Sequence, residues 1–224
     1  MGSLAALLAI PVVVGAQVGI EYWASMCGAR GYLTMTLPVK GRVIFAAKTL
    51  YAVIAVLVSV AVSVPLGIGW LATYVHLLGI TLGEYLEPMR QMISEMGTGT
   101  VLFCGLVLVE SYVLVVIEVA AVMSIGAQGR WNRLGFGAPA IGLVILYAVN
   151  QVVALAATML LPLSLDLSSG RIVGRMMLPQ FLEIVGTNKV PALLGIGFTV
   201  VAPILAAILV WWAVRAIERH TCLR

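Results

Sequence analysis

The chain has 224 residues, of which 62% are hydrophobic and only 10% are charged, and its mean hydropathy is +1.12. A chain with so few polar side chains cannot cover the surface of a soluble globule. The composition therefore excludes a soluble domain and indicates an integral membrane protein. The formal net charge of +4 requires no nucleic-acid partner, because basic loops facing anionic lipid headgroups account for it.

Long uncharged runs predict the spanning segments, because about 20 apolar residues make one helical span. These runs lack the alternation of a lipid-facing strand, which favours helices over a barrel. A further run, 101–123, is rich in Val and Leu but contains two glutamates. We therefore predict an all-α membrane bundle of five transmembrane helices in one domain, 1–224. The five spans are expected near 3–22, 43–66, 100–125, 138–161 and 191–214.

The uncharged run 49–83 leaves a six-helix alternative open, since "PLGIG" at 65–69 could turn a hairpin. Two full spans and a turn need more than about 40 residues. We therefore prefer one span, followed by a membrane-surface or re-entrant stretch that ends in "WLATYVHLLG".

Lysine and arginine counts predict the orientation of the bundle. Alternate intervals between spans hold nine basic residues against four. The positive-inside rule then places the loop after the first span, the loop at 127–133 and the C-terminus in the cytoplasm. The N-terminus and the interval with Glu84, Glu87 and Glu95 are expected outside.

Motifs for catalysis are absent from the sequence. It contains no H-E-x-x-H, no G-x-S-x-G and no phosphate-binding G-x-x-x-x-G-K-[ST], and its three cysteines and two histidines have no metal-site spacing. We expect no enzymatic activity, no metal and no cofactor in this chain. If ATP drives the protein, another chain binds it.

Two stretches resemble a known family. "GYLTMTLPVKGRVIFAAKTL", from residue 31, resembles the loop of bacterial ABC transporter permeases of the type-2 exporter class. "SIGAQGRWNRLGFGAPAIGLVILY", about a hundred residues later, resembles a helix end, short basic loop and next helix of the same family. The matching positions of the first stretch are Tyr32, Thr36, Leu37, Pro38, Val39, Lys40, Arg42 and Lys48.

The resemblance implies a short cytoplasmic coupling helix within 31–42, docked on a separate ABC ATPase subunit that binds ATP and Mg. It also implies a second permease copy, as a homo- or heterodimer, in a bacterial cytoplasmic membrane. Such permeases usually have six helices and a cytoplasmic N-terminus, with one more helix before this loop than the present sequence shows.

The residues of the loop support a docking role independently. A proline suits the first turn of a helix, and Leu37 and Val39 would then be apolar anchors flanked by Lys40 and Arg42. The alternative is an ordinary positive-inside loop with a proline turn.

Glu110 and Glu118 are predicted to lie within a span, where ionisable side chains usually face protein or water. Eight residues apart, they are separated by about 80° around a helix, so both can face the bundle interior. They are candidates for lining the export path or for carrying a proton. Alternatively, they are carboxyls hydrogen-bonded to neighbours such as Asn150, Gln151 or Tyr112.

Two other functions stay open on the sequence. A proton-coupled secondary transporter would use Glu110 and Glu118 directly and should show paired repeats, and no convincing repeat is visible. A non-transporting membrane scaffold or immunity protein would need neither the glutamates nor the loop.

Overall fold

Seven α-helices dominate the part of the chain that the computed structural model describes, residues 2–26, 28, 31, 34, 36, 38–167, 170–185 and 192–220. The predicted all-α fold is confirmed, with one small sheet as the exception. The helices are α1 Gly2–Met26, α2 Gly41–Leu77, α3 Leu82–Met96, α4 Thr98–Gly126, α5 Gly137–Leu160, α6 Met177–Ile184 and α7 Phe198–His220. A 3₁₀ helix covers Gly129–Leu134, and the strands are β1 Ser164–Asp166, β2 Arg171–Val173 and β3 Leu193–Gly195.

In the part of the chain that the structure describes, four helices are long and apolar enough to cross a membrane: α2, α4, α5 and α7. Their outer surfaces expose large apolar side chains, which only lipid or another apolar partner can cover. The protein is therefore a membrane-embedded helical bundle. The first predicted span corresponds to α1, a helix of 25 residues. Examples of exposed apolar residues are Leu50, Ile54, Val58, Leu106, Val144, Val152 and Ile208.

The central helix of the bundle is α4, which packs against α1, α2, α5 and α7. The contact faces are rich in alanine, including Ala52 of α2, Ala120 and Ala121 of α4, and Ala213 of α7, all at most 5% exposed. Small side chains allow helix backbones to approach closely, and this close packing is what stabilises helix pairs in lipid.

A buried cluster joins four helices at one end of the bundle. It combines the end of α1, the start of α2 and the ends of α4 and α7. The hydroxyls of Tyr22 and Ser124 share a hydrogen bond of 2.7 Å within it. The described parts of the segments that the basic-residue counts assigned to the cytoplasm lie together at this end, called here the basic end. The cluster comprises Tyr22, Met26, Ile44, Phe45, Ala120, Ala121, Met123, Ala213 and Ile217.

A three-stranded antiparallel sheet, in the order β2-β1-β3, lies at the opposite end. The central strand residue Ser164 pairs with Val173 on one side and with Gly195 on the other. The Thr100 hydroxyl at the start of α4 donates a hydrogen bond to the carbonyl of Gly170, which precedes β2. Gly170 has a φ of +64°, a conformation that favours glycine. The sequence did not predict this sheet.

The structure corrects the second predicted span, 43–66. The single helix α2 continues through Pro65 to Leu77, so neither a hairpin at 65–69 nor a separate surface stretch exists there. A proline removes one backbone hydrogen bond, and neighbouring groups can compensate for that loss inside a membrane helix. Breaking the helix would leave more backbone groups unsatisfied.

The last predicted span, 191–214, was also wrong at its boundaries. The helix α7 begins at Phe198 and continues to His220. Residues 193–195 are not helical because they pair with β1 as strand β3. The predictions 100–125 and 138–161 agree with α4 and α5 to within two residues at each end.

Candidate functional site

A polar pair lies between α4 and α5 in the interior of the bundle. Asn150 donates a hydrogen bond of 2.7 Å from Nδ2 to Oε2 of Glu118. Glu118 is 4% exposed, so its carboxyl is shielded by protein. Of the three neighbours expected for the glutamates, Asn150 is the one that forms this bond.

Both glutamates line one cavity of about 390 Å³ between α4, α5 and α7. A cavity of this size can hold a small organic molecule. The spacing of Glu110 and Glu118 allows both to face the interior, and in this cavity Glu118 is buried while Glu110 is half-buried. The other lining residues are Ser111, Leu114, Val115, Asn150, Gln151, Val153, Ala154, Phe198, Thr199, Val201, Ala202 and Leu205.

The cavity offers a ligand two carboxyls and two amides as its main polar groups. The other two polar residues are committed to the backbone, since the Ser111 hydroxyl donates to the Val107 carbonyl and the Thr199 hydroxyl donates to the Ile196 carbonyl, each at 2.7 Å. No basic side chain is among the described lining residues. The arrangement suits a proton, a cation or a hydrogen-bond donor in an apolar setting.

Sequence reasoning placed Tyr112 beside the glutamates, but the structure places it elsewhere. Tyr112 lines a second cavity of about 320 Å³, which is almost entirely apolar and lies between α1, α2 and α4. Sequence reasoning also missed Ser111 and Thr199. Ser111 immediately follows Glu110, and Thr199 opens a span whose start was predicted too early.

The predicted coupling loop is partly described at the basic end. Pro38, Val39 and Lys40 are exposed and not helical, and Lys40 precedes the first residue of α2. Arg42, in the first turn of α2, is also exposed. Thr36 lies in a turn and is exposed.

Tyr32 and Leu37 lie outside the described residues, as do residues 33 and 35 of the predicted coupling segment 31–42. The other predicted apolar anchor, Val39, has a side chain that is 48% exposed. An apolar side chain beside two exposed basic residues at the end of a membrane bundle is available to a partner protein.

Hydrogen bonds fix this loop to the end of α1. The Thr34 hydroxyl donates to the Ser25 carbonyl at 2.8 Å. The ammonium group of Lys48 donates to the Ser25 hydroxyl. Lys48, a position of the family resemblance, therefore points into the protein and ties α2 to α1.

The second stretch of the resemblance forms a tight connection between α4 and α5. The 3₁₀ helix follows Gln128, which is 4% exposed, and Trp131 within it is exposed. At the junction, a Cβ on Gly126 would lie 2.8 Å from the backbone nitrogen of Pro139. The loop thus lies close to the bundle at the same end as the first loop.

Among the described residues, no cluster of three or more His, Cys, Asp or Glu side chains could hold a metal ion. Cys104, on α4, is a free cysteine that is partly buried. The buried hydroxyl of Thr49 on α2 has no hydrogen-bond partner within the described part.

Comparison of the chain with protein-family models, with curated proteins and with solved structures gives no match.

Proposed function

We propose that this chain is the transmembrane permease subunit of an ATP-driven exporter of the type-2 ABC class. A separate ATPase subunit binds ATP and Mg, and this chain contributes the membrane path. It acts with a second permease copy in a bacterial cytoplasmic membrane, with its C-terminus in the cytoplasm.

The observation that carries the proposal is the shared location of the two family-like loops. Both lie at the basic end, which the buried cluster around Tyr22 and Ser124 holds together. A soluble partner docked there would contact α1, α2 and α4 at once. A movement of the first loop would be transmitted to α4 by α1 and α2, because α4 packs against both helices.

The charge of this end supports the same orientation. Lys40, Arg42, Arg215 and Arg219 lie at the basic end and their side chains are exposed. Basic side chains are concentrated on the cytoplasmic side of membrane proteins. An ATPase subunit has access to this end only from the cytoplasm.

The cavity between α4, α5 and α7 is the candidate export path. It is adjacent to α4, the helix that packs against most of the others, and it contains both intramembrane glutamates. The same cavity favours a second candidate function, a proton-coupled secondary transporter. In that case Glu110 and Glu118 would carry the coupled proton, and no ATPase would be needed.

Truncation of the loop's apolar anchors tests the coupling role. If Leu37 and Val39 fill an apolar groove on the ATPase, Leu37→Ala or Val39→Ala removes one buried contact of roughly 1–3 kcal/mol. ATPase affinity should then fall about ten- to hundred-fold. Lys40→Ala/Arg42→Ala should mainly alter the association rate and its salt dependence, because these side chains lie at the rim.

A matched control separates docking from folding. Val58→Ala removes the same two methyl groups from an exposed, lipid-facing position of α2 and should leave ATPase binding unchanged. Co-purification of the ATPase, ATP-dependent export and membrane insertion are measured for each variant. Normal ATPase binding and export in both Leu37→Ala and Val39→Ala would exclude the loop as the coupling element.

A further inference from the structure

The helix α3 is amphipathic along its whole length. At 100° per residue its apolar side chains fall within about 120° of the helix circumference. The opposite face holds Glu84, Glu87, Gln91 and Ser94. The apolar stripe consists of Leu82, Tyr85, Leu86, Met89, Met92, Ile93 and Met96.

Four of the seven side chains of the apolar stripe are exposed, while Leu82, Leu86 and Met96 are half-buried. Met89 is 50% exposed and Met92 is 55% exposed, and Tyr85 and Ile93 are exposed as well. The helix meets α2 and α4, the two helices that it connects. A stripe of this kind, left open to water, would be costly for a helix with so many apolar side chains.

The lengths of the flanking helices place α3 at the membrane surface. The uncharged part of α2, 49–77, is about 43 Å long at 1.5 Å per residue, and α4, with 29 residues, has the same length. A bilayer with its headgroups is about 40–45 Å thick. The end of α2 and the start of α4 therefore both reach the headgroup layer opposite the basic end.

An aromatic pair marks the same boundary. Trp70 and Tyr74 of α2 are stacked with ring centroids 5.3 Å apart. With Leu77 at the outer edge of the headgroup layer, Tyr74 and Trp70 lie about 5 and 10 Å deeper along the helix, on either side of the hydrocarbon boundary, because each headgroup layer is about 5–7 Å thick. Tryptophan and tyrosine are enriched at this interface.

We propose that α3 is an interfacial helix that lies in the plane of the lipid headgroups, with its apolar stripe buried against the acyl chains. Leu77, Leu78 and Ile80, at the end of α2 and in the following turn, are also exposed apolar side chains. The polar face is directed to water. This assignment is independent of the transport function.

The net charge of α3 indicates which kind of lipid surface the helix can bind. Three glutamates and one arginine give the helix a net negative charge, so attraction to anionic headgroups does not hold it in place. Binding rests on buried apolar area, as expected for an interfacial helix of this type. The N-terminus of α3 needs no lipid headgroup as a hydrogen-bond partner, because Thr81 and Glu84 form a reciprocal capping box.

Site-specific fluorescence tests the proposal on the full chain. Cys27, Cys104 and Cys222 are first replaced by alanine. Single cysteines are then introduced as Met89→Cys and Ile93→Cys on the apolar stripe, and as Gln91→Cys and Ser94→Cys on the polar face. Each variant is labelled with an environment-sensitive fluorophore and reconstituted in phosphatidylcholine vesicles.

Probes at Met89 and Ile93 should be quenched several-fold more strongly by spin-labelled lipid than by iodide, and probes at Gln91 and Ser94 should show the reverse. The pattern should be unchanged when phosphatidylglycerol is added. Equal iodide access at all four positions would overturn the proposal, since α3 would then stand in water. Protection of Met89 and Ile93 from both quenchers would also overturn it, because a protein would then cover the stripe.

Discussion

Glu118 occupies a position where an ionisable side chain is costly. Insertion of a charged residue at the centre of a span costs roughly 2.5–3.5 kcal/mol. The hydrogen bond from Asn150 stabilises the protein by less than this cost, because interhelical hydrogen bonds in membranes contribute about 0.6 kcal/mol on average and at most about 1.7 kcal/mol. The bond offsets only part of the cost that a charged carboxyl would carry, so the proposed role of Glu118 in the export path rests on its place in the cavity.

Replacing the carboxyl by an amide tests that role. Glu118→Gln keeps the shape and hydrogen bonding of the side chain, so the complex should assemble and hydrolyse ATP at its basal rate. Export should fall about tenfold or more, equivalent to roughly 1.4 kcal/mol. Glu110→Gln should act in the same direction, because both side chains line one cavity.

Two matched variants serve as controls for the glutamate substitutions. Glu87→Gln removes a carboxyl from the exposed face of α3 and should leave export unchanged. Asn150→Leu breaks the bond to Glu118 and should cost at most about 1.7 kcal/mol of stability. Normal export by both glutamate variants would mean that the carboxyls are structural.

Glu84 provides a pH-dependent feature outside the spans. The backbone N–H of Thr81 donates to the Glu84 carboxylate at 2.7 Å and the Thr81 hydroxyl at 2.8 Å, and these bonds lower the pKa of Glu84. Because its folded-state pKa is lowered, Glu84 contributes stability above its unfolded pKa of about 4.3. That contribution is lost as the pH falls through the lower folded-state value.

Amide hydrogen exchange across the first turn of α3 should reveal this loss. After correction for intrinsic rates, protection of residues 82–86 should decrease as the pH is lowered below about 4. Glu84→Gln should show weaker protection at neutral pH and no further acid-dependent loss, while Glu87→Gln should behave like the parent chain. Identical pH profiles for Glu84→Gln and the parent would contradict the role of the capping box.

At the scale of elements, the spans α4 and α5 were predictable because uncharged apolar length is a strong signal. The predicted helix boundaries were wrong where the sequence signal was weak. Pro65 indicated a break that the membrane environment does not require. The strands have three residues each, too few to show an alternating period, and β1 pairs with β3 across about thirty intervening positions.

The packing face of each span was harder to predict than its position. Lipid and protein interior are both apolar, so a spanning helix lacks the polar and apolar faces that orient a soluble helix. On α2 the buried stripe includes Thr49, Ala52, Val56 and Ser59, and small or hydroxylated side chains mark it better than hydrophobicity does. The glutamates of α4 were an exception, since their charge indicated an inward face.

The junction between α4 and α5 allows a test by paired glycine substitutions. A Cβ on Gly126 would lie within 3.0 Å of three Pro139 atoms, two of them in the backbone, so Gly126→Ala should destabilise the protein by about 1–3 kcal/mol. A Cβ on Gly105, in the same helix, would meet no other atom of the described chain within 4 Å. Gly105→Ala should be neutral or stabilise by about 0.5–1 kcal/mol.

Unfolding in detergent provides the measurement for this pair. The expected result is a lower transition midpoint for Gly126→Ala and an unchanged or higher one for Gly105→Ala. Equal stability of the two variants would show that α4 and α5 do not approach as closely as described.

At the scale of the whole molecule, the two ends of the bundle differ in construction. The basic end holds the buried cluster and both family-like loops, while the opposite end holds the sheet, α3 and α6. The grouping of loops at one end was predictable from the alternation of basic residues. The sheet was not, because it depends on contacts such as Thr100 with Gly170 between distant segments.

The proposed function makes this membrane bundle half of an ATP-driven translocator. It predicts that the chain, purified gently from native membranes, carries an ATPase subunit with a phosphate-binding loop and a second permease copy. Native mass spectrometry of that complex is the most direct measurement, with two permeases and two ATPase subunits as the predicted composition. Purification of the intact chain without any ATPase, while transport persists, would contradict the proposed function and favour the proton-coupled carrier.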